Sequence, residues 1–303
     1  MGAELRKLRG RIRSIKSTAK ITRAQELIAT SRISRAQARQ AASRPYARQI
    51  TRAVSALVTH NVSEDHALLN RRPDASRVAI LMITGDRGFC GAYNANVLRH
   101  ANALTKMLKA EGKDVVFYIT GRKGVDNFTF NGRPIERFWV GESGEPTYAT
   151  AAEIGKELVE RFSMPTTEGG VGEVHVIFTR FVSMISQQMT VRRILPLEIE
   201  DVEELPGGEG PAASYDFEPS VSEVLDALIQ QYVRGRIWNM LLESAASEHA
   251  ARRQAMMSAT DNANDLIFRL SRQANEARQA EITNELIDIV SGANALTATT
   301  KDD

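Results

Sequence analysis

The chain has 303 residues, of which 43% are hydrophobic and 25% are charged, proportions that are typical of soluble globular proteins. Its only cysteine is Cys90, which excludes an internal disulfide framework, and no run of eighteen apolar residues suggests a membrane span. The net charge of +2 is unevenly placed, because residues 1–52 hold fourteen Lys or Arg against two Glu, a net +12 that leaves −10 for the rest. A basic arm of this kind suits nucleic acid or an acidic protein surface.

Residues 3 to about 60 are predicted to form one long helix. Its first apolar residues alternate spacings of three and four, as in a heptad seam that packs along another helix: Leu5, Leu8, Ile12, Ile15 and Ala19. Ile21, Ala24 and Ile28 are expected to continue this seam in a nearby register. Pro45 is expected to cause a mild break or kink, because proline lacks a backbone donor.

The middle of the chain, residues 75–200, alternates strand and helix patterns. Strands are predicted at 77–84, 114–120, 137–140, 173–181 and 189–197, and helices at 92–110 and 149–162. The fully apolar runs indicate buried parallel strands, and the alternation predicts a small α/β layer domain. Residues 165–172 are expected to form a flexible loop.

The first strand is followed by a turn that contains Gly85, Gly88 and Gly91. Dinucleotide-binding enzymes cradle a pyrophosphate at this position, but the spacing here is G-x-x-G-x-x-G instead of G-x-G-x-x-G, and the chain has no Walker A sequence. We therefore expect the glycines to serve a tight turn and close helix packing. The five histidines are scattered and Cys90 lacks a cysteine partner, so the sequence predicts no catalytic residue, no metal site and no cofactor.

Residues 201–219 are acidic and rich in Gly and Pro, which predicts a linker. From about residue 220 to 297 no proline occurs, and strong helix formers dominate. A helix of some 75 residues would extend over roughly 110 Å, too long to be buried in its own domain. We therefore expect a rod that another protein surrounds.

The apolar spacing of this last helix also predicts a seam. Ile267, Leu270, Ala274 and Ala277 step by three and four, and the rhythm resumes in a shifted phase at Ile282, Leu286, Ile289, Ala293 and Leu296. Between Asp288 and Lys301 the chain has no charge, so its end would fit an enclosing apolar collar.

The two terminal helices are predicted to pair as an antiparallel two-helix coiled coil around the central α/β domain. This gives four segments: an N-terminal coiled-coil helix at 1–62, the α/β domain at 75–200, the linker at 201–219 and a C-terminal coiled-coil helix at 220–297.

Four stretches carry a resemblance to a known family. I-T-N-E-L-I-D-I-V-S-G-A-N-A at residues 282–295 resembles the C-terminal signature of the gamma subunits of bacterial F-type ATP synthases, and residues 15–24, 86–91 and 246–263 agree with the same family in the same order. The resemblance implies a Rossmann-like fold for the central domain, and it implies a rotor shaft without a catalytic site or cofactor of its own. The shaft would transmit torque between a proton-driven ring of c subunits and a catalytic hexamer of alpha and beta subunits, and so couple rotation to ATP synthesis or hydrolysis.

The resemblance also implies partners and contact residues. The Rossmann-like domain would lie beside an epsilon subunit and on the c-ring, which associates the chain indirectly with the cytoplasmic face of the bacterial plasma membrane. The residues implied to contact alpha and beta subunits fall into three groups: Arg9, Arg11 and Arg13 against acidic surfaces of beta; Arg278, Gln279 and Thr283 against a beta loop; and Gly292, Ala293, Asn294 and Leu296 in an upper bearing.

Two other classes of function are consistent with parts of the sequence. The basic arm suits a nucleic-acid-binding coiled-coil protein, whose affinity would fall steeply with salt. The turn at residues 85–91 suits a Rossmann-type enzyme, which a nucleotide would stabilise against heat. Neither accounts for a helix of this length with an uncharged end.

Overall fold

The computed structural model describes residues 3–61, 76–197 and 221–299, with side chains described for 3–54, 76–197, 224 and 227–291. The predicted linker at 201–219 lies outside the described residues. The helices are α1 (Ala3–Asn61), α2 (Tyr93–Ala110), α3 (Arg122–Phe130), α4 (Tyr148–Ser163) and α5 (Val221–Thr299), and the strands are β1 (Arg77–Ile83), β2 (Asp114–Thr120), β3 (Arg137–Trp139), β4 (Glu173–Phe181) and β5 (Gln187–Leu195). No described helix is apolar enough over a sufficient length to cross a membrane.

The two long terminal helices are confirmed, with 59 residues in α1 and 79 in α5. Helix α1 runs through Pro45 without ending there, so the proline does not break the helix, and a kink at Pro45 stays a prediction. Helix α3 was not predicted, because its sequence R-K-G-V-D-N-F-T-F is short and contains glycine. Tertiary packing explains it: Phe128 is fully buried, and a side chain at position 124 would come within 2.8 Å of Ile119.

The five strands form one sheet in the order β3-β2-β1-β4-β5. Strand β1 lies parallel to β2 and β4, and β2 lies parallel to β3, as expected for strands connected through helices. Strand β5 is antiparallel to β4, because only the short turn at residues 182–186 joins them. The fold class is therefore α/β with long terminal helices, as predicted.

Both faces of the sheet are covered, which explains the continuous apolar sequence of β1. Val78, Ile80 and Met82 pack with α2 and α3 on one face. Ala79, Leu81 and Ile83 pack on the other face with α4 and with the 229–241 part of α5. The segment 165–172, which was expected to be a flexible loop, contains a short 3-10 helix (Thr166–Glu168). Its Val171 is buried, so the segment packs against this domain.

The chain divides into two compact units. The smaller unit combines Met1–Ile28 with Ala255–Asp303, and the larger unit comprises Ala29–Gln254. The four segment boundaries expected from the sequence are not tested by this division and stay a prediction.

Candidate partner-binding surfaces and the joint on helix α5

In the smaller unit, the least exposed residues of α1 follow a strict heptad spacing. They are Leu5, Leu8, Ile12, Ile15, Ala19, Thr22 and Glu26, which confirms the first part of the predicted seam. The predicted continuation through Ile21, Ala24 and Ile28 is wrong, since Ile21 is 60% exposed, Ile28 is 47% exposed and Ala24 is also exposed. The alternating spacing of three and four residues continues from Ala19 to positions 22 and 26, so these positions lie on the seam although their residues are polar.

Hydrogen bonds explain how two polar residues are accommodated in this seam. The hydroxyls of Thr22 and Thr260 lie 2.7 Å apart, which joins α1 to α5 within the smaller unit. Glu26 accepts a hydrogen bond of 2.8 Å from the guanidinium of Arg23. A buried polar group with a partner avoids most of the desolvation cost.

Helix α5 supplies the matching stripe of the smaller unit. Its least exposed positions alternate spacings of four and three: Met256, Thr260, Ala263, Ile267, Leu270, Ala274, Ala277 and Glu281. This confirms the predicted run from Ile267 to Ala277.

Beyond this stripe, α5 carries what we call the apolar tip. It consists of Ile282, Leu286, Ile287, Ile289 and Val290, all between 46% and 67% exposed. The prediction that Ile282, Leu286 and Ile289 continue the seam is wrong for the described residues. Every described side chain from Ile282 to Ser291 is exposed, whichever face of the helix it lies on, so the stripe ends at Glu281.

A basic groove lies on the first part of α1. It encloses about 530 Å³ and is lined by Arg9, Ile12, Arg13, Lys16, Ser17 and Lys20. The lining contains four cationic side chains and no acidic one. Arg11 is also exposed, on the same stretch of helix. The structure thus brings the three predicted arginines to one exposed, positively charged segment.

The predicted contact residues on α5 lie next to one another. Arg278, Gln279 and Thr283 are all exposed, and the hydroxyl of Thr283 donates to the carbonyl oxygen of Gln279 at 3.0 Å. The predicted bearing residues lie in the helical backbone, but their side chains fall outside the described part: Gly292, Ala293, Asn294 and Leu296.

In the larger unit, the glycine turn contacts α5 instead of forming an open cradle. A Cβ atom at Gly85 would lie 3.0 Å from the carboxyl carbon of Glu248. Glu248 is 2% exposed and accepts a hydrogen bond of 2.5 Å from Arg252, which also donates to the carbonyl oxygen of Gly88 at 3.4 Å. Gly85 therefore allows the turn to pack closely against helix α5. We call Glu248, His249 and Arg252, with the turn at residues 85–91, the joint.

His249 extends the joint to a second loop and is held in one tautomer. Its Nδ1 accepts from Nη1 of Arg252 at 3.1 Å, so Nε2 carries the proton and donates to the carbonyl oxygen of Gly144 at 2.9 Å. Burial and the neighbouring guanidinium lower the pKa of His249, which keeps the ring neutral.

Cys90 and Tyr93 complete the buried surroundings of the joint. Burial and the nearby Glu248 carboxylate raise the pKa of the Cys90 thiol, whereas a nucleophilic cysteine needs a lowered one. The Tyr93 hydroxyl donates to the carbonyl oxygen of Ser244 at 3.3 Å. In the part of the chain that the structure describes, no three His, Cys, Asp or Glu side chains are grouped as metal ligands.

Sequence reasoning did not single out the three charged or titratable residues of the joint. They lie in A-S-E-H-A-A-R, residues 246–252, where small alanines surround Glu248, His249 and Arg252. Small residues allow close approach of a neighbouring backbone. The charged residues that stand between these alanines are the feature of the sequence that could have indicated a buried ion pair.

Comparison with known proteins identifies the family. The family model described as ATP synthase matches residues 4–296. The ATP synthase gamma chain of Thermobifida fusca is 53% identical over 98% of this chain and 98% of its own length, and that of Acidothermus cellulolyticus is 54% identical over 99% of each. The chain belongs to the ATP synthase gamma chain family. This is the family of the central-stalk subunit of F-type ATP synthases.

Solved structures agree with the fold. A chain of the Euglena gracilis mitochondrial ATP synthase superimposes with a TM-score of 0.70 at 18% identity, covering 99% of this chain and 97% of that one. A chain from the central stalk and c-ring of the Tetrahymena thermophila enzyme gives a TM-score of 0.56 at 22% identity, covering 79% and 99%. Family membership favours the rotor interpretation over the nucleic-acid-binding and Rossmann-enzyme alternatives.

Proposed function

We propose that the chain is the rotor shaft of an F-type ATP synthase and has no catalytic site of its own. In this role it transmits torque between the proton-driven c-ring and the hexamer of alpha and beta subunits. The observation that carries the proposal is the apolar tip, five large apolar side chains left exposed where the described side chains of a 79-residue helix end. Exposed apolar patches on soluble proteins mark interaction sites.

The chemistry of the tip suits a partner that surrounds it and lets it turn. Apolar contacts are non-directional, so they tolerate rotation better than ion pairs or hydrogen bonds. The uncharged sequence from Ile289 to Thr300 continues this character. We therefore propose an enclosing collar of alpha and beta subunits, with four residues in its bearing: Gly292, Ala293, Asn294 and Leu296.

The charged contacts are proposed to lie on both helices of the smaller unit. The basic groove, which contains Arg9 and Arg13, and the exposed Arg11 on the same stretch of helix would bind acidic surfaces of beta subunits, since the groove lining contains four cations and no acid. Arg278, Gln279 and Thr283, exposed on α5, would contact a beta loop. An asymmetric shaft makes different contacts with three chemically identical sites, and only such differences can shift their conformational populations.

The larger unit would supply the remaining contacts of the shaft. We propose that it lies beside the epsilon subunit and on the c-ring. The chain would thereby be held, indirectly, at the cytoplasmic face of the bacterial plasma membrane.

Reconstitution tests the proposal. The full chain is mixed with purified alpha and beta subunits, and ATP hydrolysis is measured for the mixture and for the chain alone. We expect sustained turnover only in the mixture, with one copy of this chain per hexamer. Turnover by the chain alone, or failure to assemble, would contradict the proposal.

Matched variants test the two surfaces. Leu286→Ser with Ile289→Ser should weaken assembly or turnover, whereas Phe130→Ser, which changes a 90% exposed side chain of the larger unit, should not. Arg13→Glu should lower turnover, whereas Arg48→Glu, an exposed change on α1 outside the groove, should not. Equal effects of the tip and control variants would show that the tip is not the bearing.

A further inference from the structure

Two arginines of the larger unit stand on the sheet face that helix α5 covers. Val176 and Phe178 of β4 pack in the same core as the 229–241 part of α5. Arg180 continues their alternation along the strand, so it lies on the same face of the sheet. Arg192 of β5 is directly opposite Val176 in the strand register and therefore faces α5 as well.

The long helices bring two further arginines to the same place. Arg44 of α1 and Arg236 of α5 lie close enough to the carboxylate of Glu243 to act on it electrostatically, as do the two arginines of the sheet. Helix α1 lies against α5 here, because Nε2 of Gln40 donates to Oε1 of Glu243 at 3.1 Å. All of these residues belong to the larger unit. We call the four cations the arginine cluster: Arg44, Arg180, Arg192 and Arg236.

The positive charge of the arginine cluster is largely uncompensated. Its three members on α1, β4 and β5 form no ion pair with any described residue, and Arg236 lies over the ring of Tyr232 at 5.7 Å. Burial raises the pKa of Glu243 and the four arginines oppose this rise, so the cluster faces a single carboxylate and keeps a surplus of three positive charges. Guanidinium groups bind carboxylates and phosphates in a planar, paired geometry, so the cluster suits a polyanion.

The chain itself contains a polyanion of the opposite charge. Residues 198–219, which lie outside the described residues, hold eight acidic side chains and no Lys or Arg. Five of the eight fall within residues 198–204, which we call the acidic segment: Glu198, Glu200, Asp201, Glu203 and Glu204. The acidic segment therefore complements the arginine cluster in charge.

Attachment of the chain favours the acidic segment over anions in solution. On either side of residues 198–219 the chain is anchored in the larger unit, since Leu197 and Val224 both pack against its core. The acidic segment begins only six residues after Arg192, a separation of at most about 20 Å along the chain. A group tethered this closely has an effective concentration in the millimolar range. An anionic partner in solution would have to exceed that concentration to compete.

We propose that the acidic segment binds the arginine cluster of the same chain through pairs of carboxylate and guanidinium groups. Because the cluster draws its members from α1, α5 and the β4–β5 edge of the sheet, the bound segment links these three parts of the larger unit. An acidic protein surface or a phosphorylated compound reaches the arginines only by displacing the segment. The proposal does not depend on the rotor function.

Binding of the segment in trans tests the proposal. The probe is a fluorescein-labelled peptide of residues 197–205, L-E-I-E-D-V-E-E-L, and its anisotropy is measured with the full chain at about 50 mM salt. In the amide variant, the five acidic residues of the segment are replaced by Gln or Asn. The matched control changes the other three acidic residues of the same stretch: Glu209→Gln, Asp216→Asn and Glu218→Gln. Circular dichroism checks that the helices of each variant are intact.

We expect the amide variant to bind the peptide at least about tenfold more tightly than the parent chain or the matched control, because it no longer carries a tethered competitor. Adding Arg180→Gln and Arg192→Gln to the amide variant should abolish binding, as should about 0.5 M salt, whereas adding Arg99→Gln, an exposed change on α2, should not. Equal binding by the parent chain and the amide variant, or binding that survives loss of both arginines, would overturn the proposal. Pyrophosphate is titrated in parallel, and equal affinity for the parent chain and the amide variant would show an open anion site instead of an occupied one.

Discussion

The joint permits a quantitative test of how the larger unit holds α5. Replacing Arg252 with methionine leaves the Glu248 carboxylate, 2% exposed, without its guanidinium. Its other oxygen, Oε2, has no hydrogen-bond partner among the described residues, so little else compensates for the lost ion pair. Removing one partner of a buried pair costs about 3–5 kcal/mol, because a charge remains buried.

The double variant separates this cost from a general packing defect. When Glu248→Gln is added to Arg252→Met, no uncompensated charge remains, and neutral replacements of buried pairs are often close to neutral in stability. We therefore expect the double variant to lie within about 1–2 kcal/mol of the parent chain. The two changes would then be coupled by at least about 2 kcal/mol.

Urea unfolding of the full chain, followed by circular dichroism, measures these differences. The control is Arg272→Met, which breaks an ion pair with Glu276 on the same helix, where the side chains are 77% and 63% exposed. An exposed pair four residues apart contributes only about 0.3–0.5 kcal/mol. If Arg252→Met costs no more than Arg272→Met, or if the double variant costs the sum of its single changes, the reasoning about the joint is wrong.

Two further predictions concern titratable groups of the larger unit. Because burial raises the pKa of Cys90, a maleimide should label the folded chain slowly at pH 8 and rapidly in urea; equal rates would show an open thiol. The lowered pKa values of His249 and His175 mean that the unfolded chain takes up protons below about pH 6.5 where the folded chain does not, so the free energy of unfolding should fall as the pH drops through that range. His249→Gln should reduce this pH dependence; an unchanged slope in this variant would contradict the neutral tautomer.

Periodicity predicted the large features because they depend on pattern alone. Strands β1 and β2 are nearly continuous apolar runs, and strong helix formers dominate the terminal helices over lengths that no other described element matches. The same method failed at Ile21 and Ile28, where it followed hydrophobicity instead of strict spacing. The helix geometry places Thr22 and Glu26 on the seam, and their hydrogen bonds make those positions tolerable.

The joint could not be predicted because its partners are distant in sequence. Gly85 and Glu248 come together only when the sheet and α5 pack, and the sequence around each residue does not indicate that the other is its contact. A cavity of about 230 Å³ in the larger unit has the same property, since its walls come from the ends of β1, β2 and β3, one loop and two helices. By contrast, the exposed arginines and the apolar tip follow from local composition, and the family signature indicated which of them to expect at a partner surface.

The contact between Gly85 and Glu248 has a consequence for how this fold can be regulated. Related sheet architectures leave the first glycine turn open for a phosphate, but here side chains of the same unit occupy it. The backbone N–H groups of Gly85 and Asp86 donate to Asn94 Oδ1 at 2.8 Å and to Ser143 Oγ at 2.7 Å, and the Glu248 carboxylate lies against Gly85. A tethered group competes at an effective concentration of millimolar or more, so free phosphates or nucleotides must exceed it to enter. Free phosphates and nucleotides are therefore excluded from the turn, and a small molecule that regulates this unit would have to bind elsewhere on the sheet.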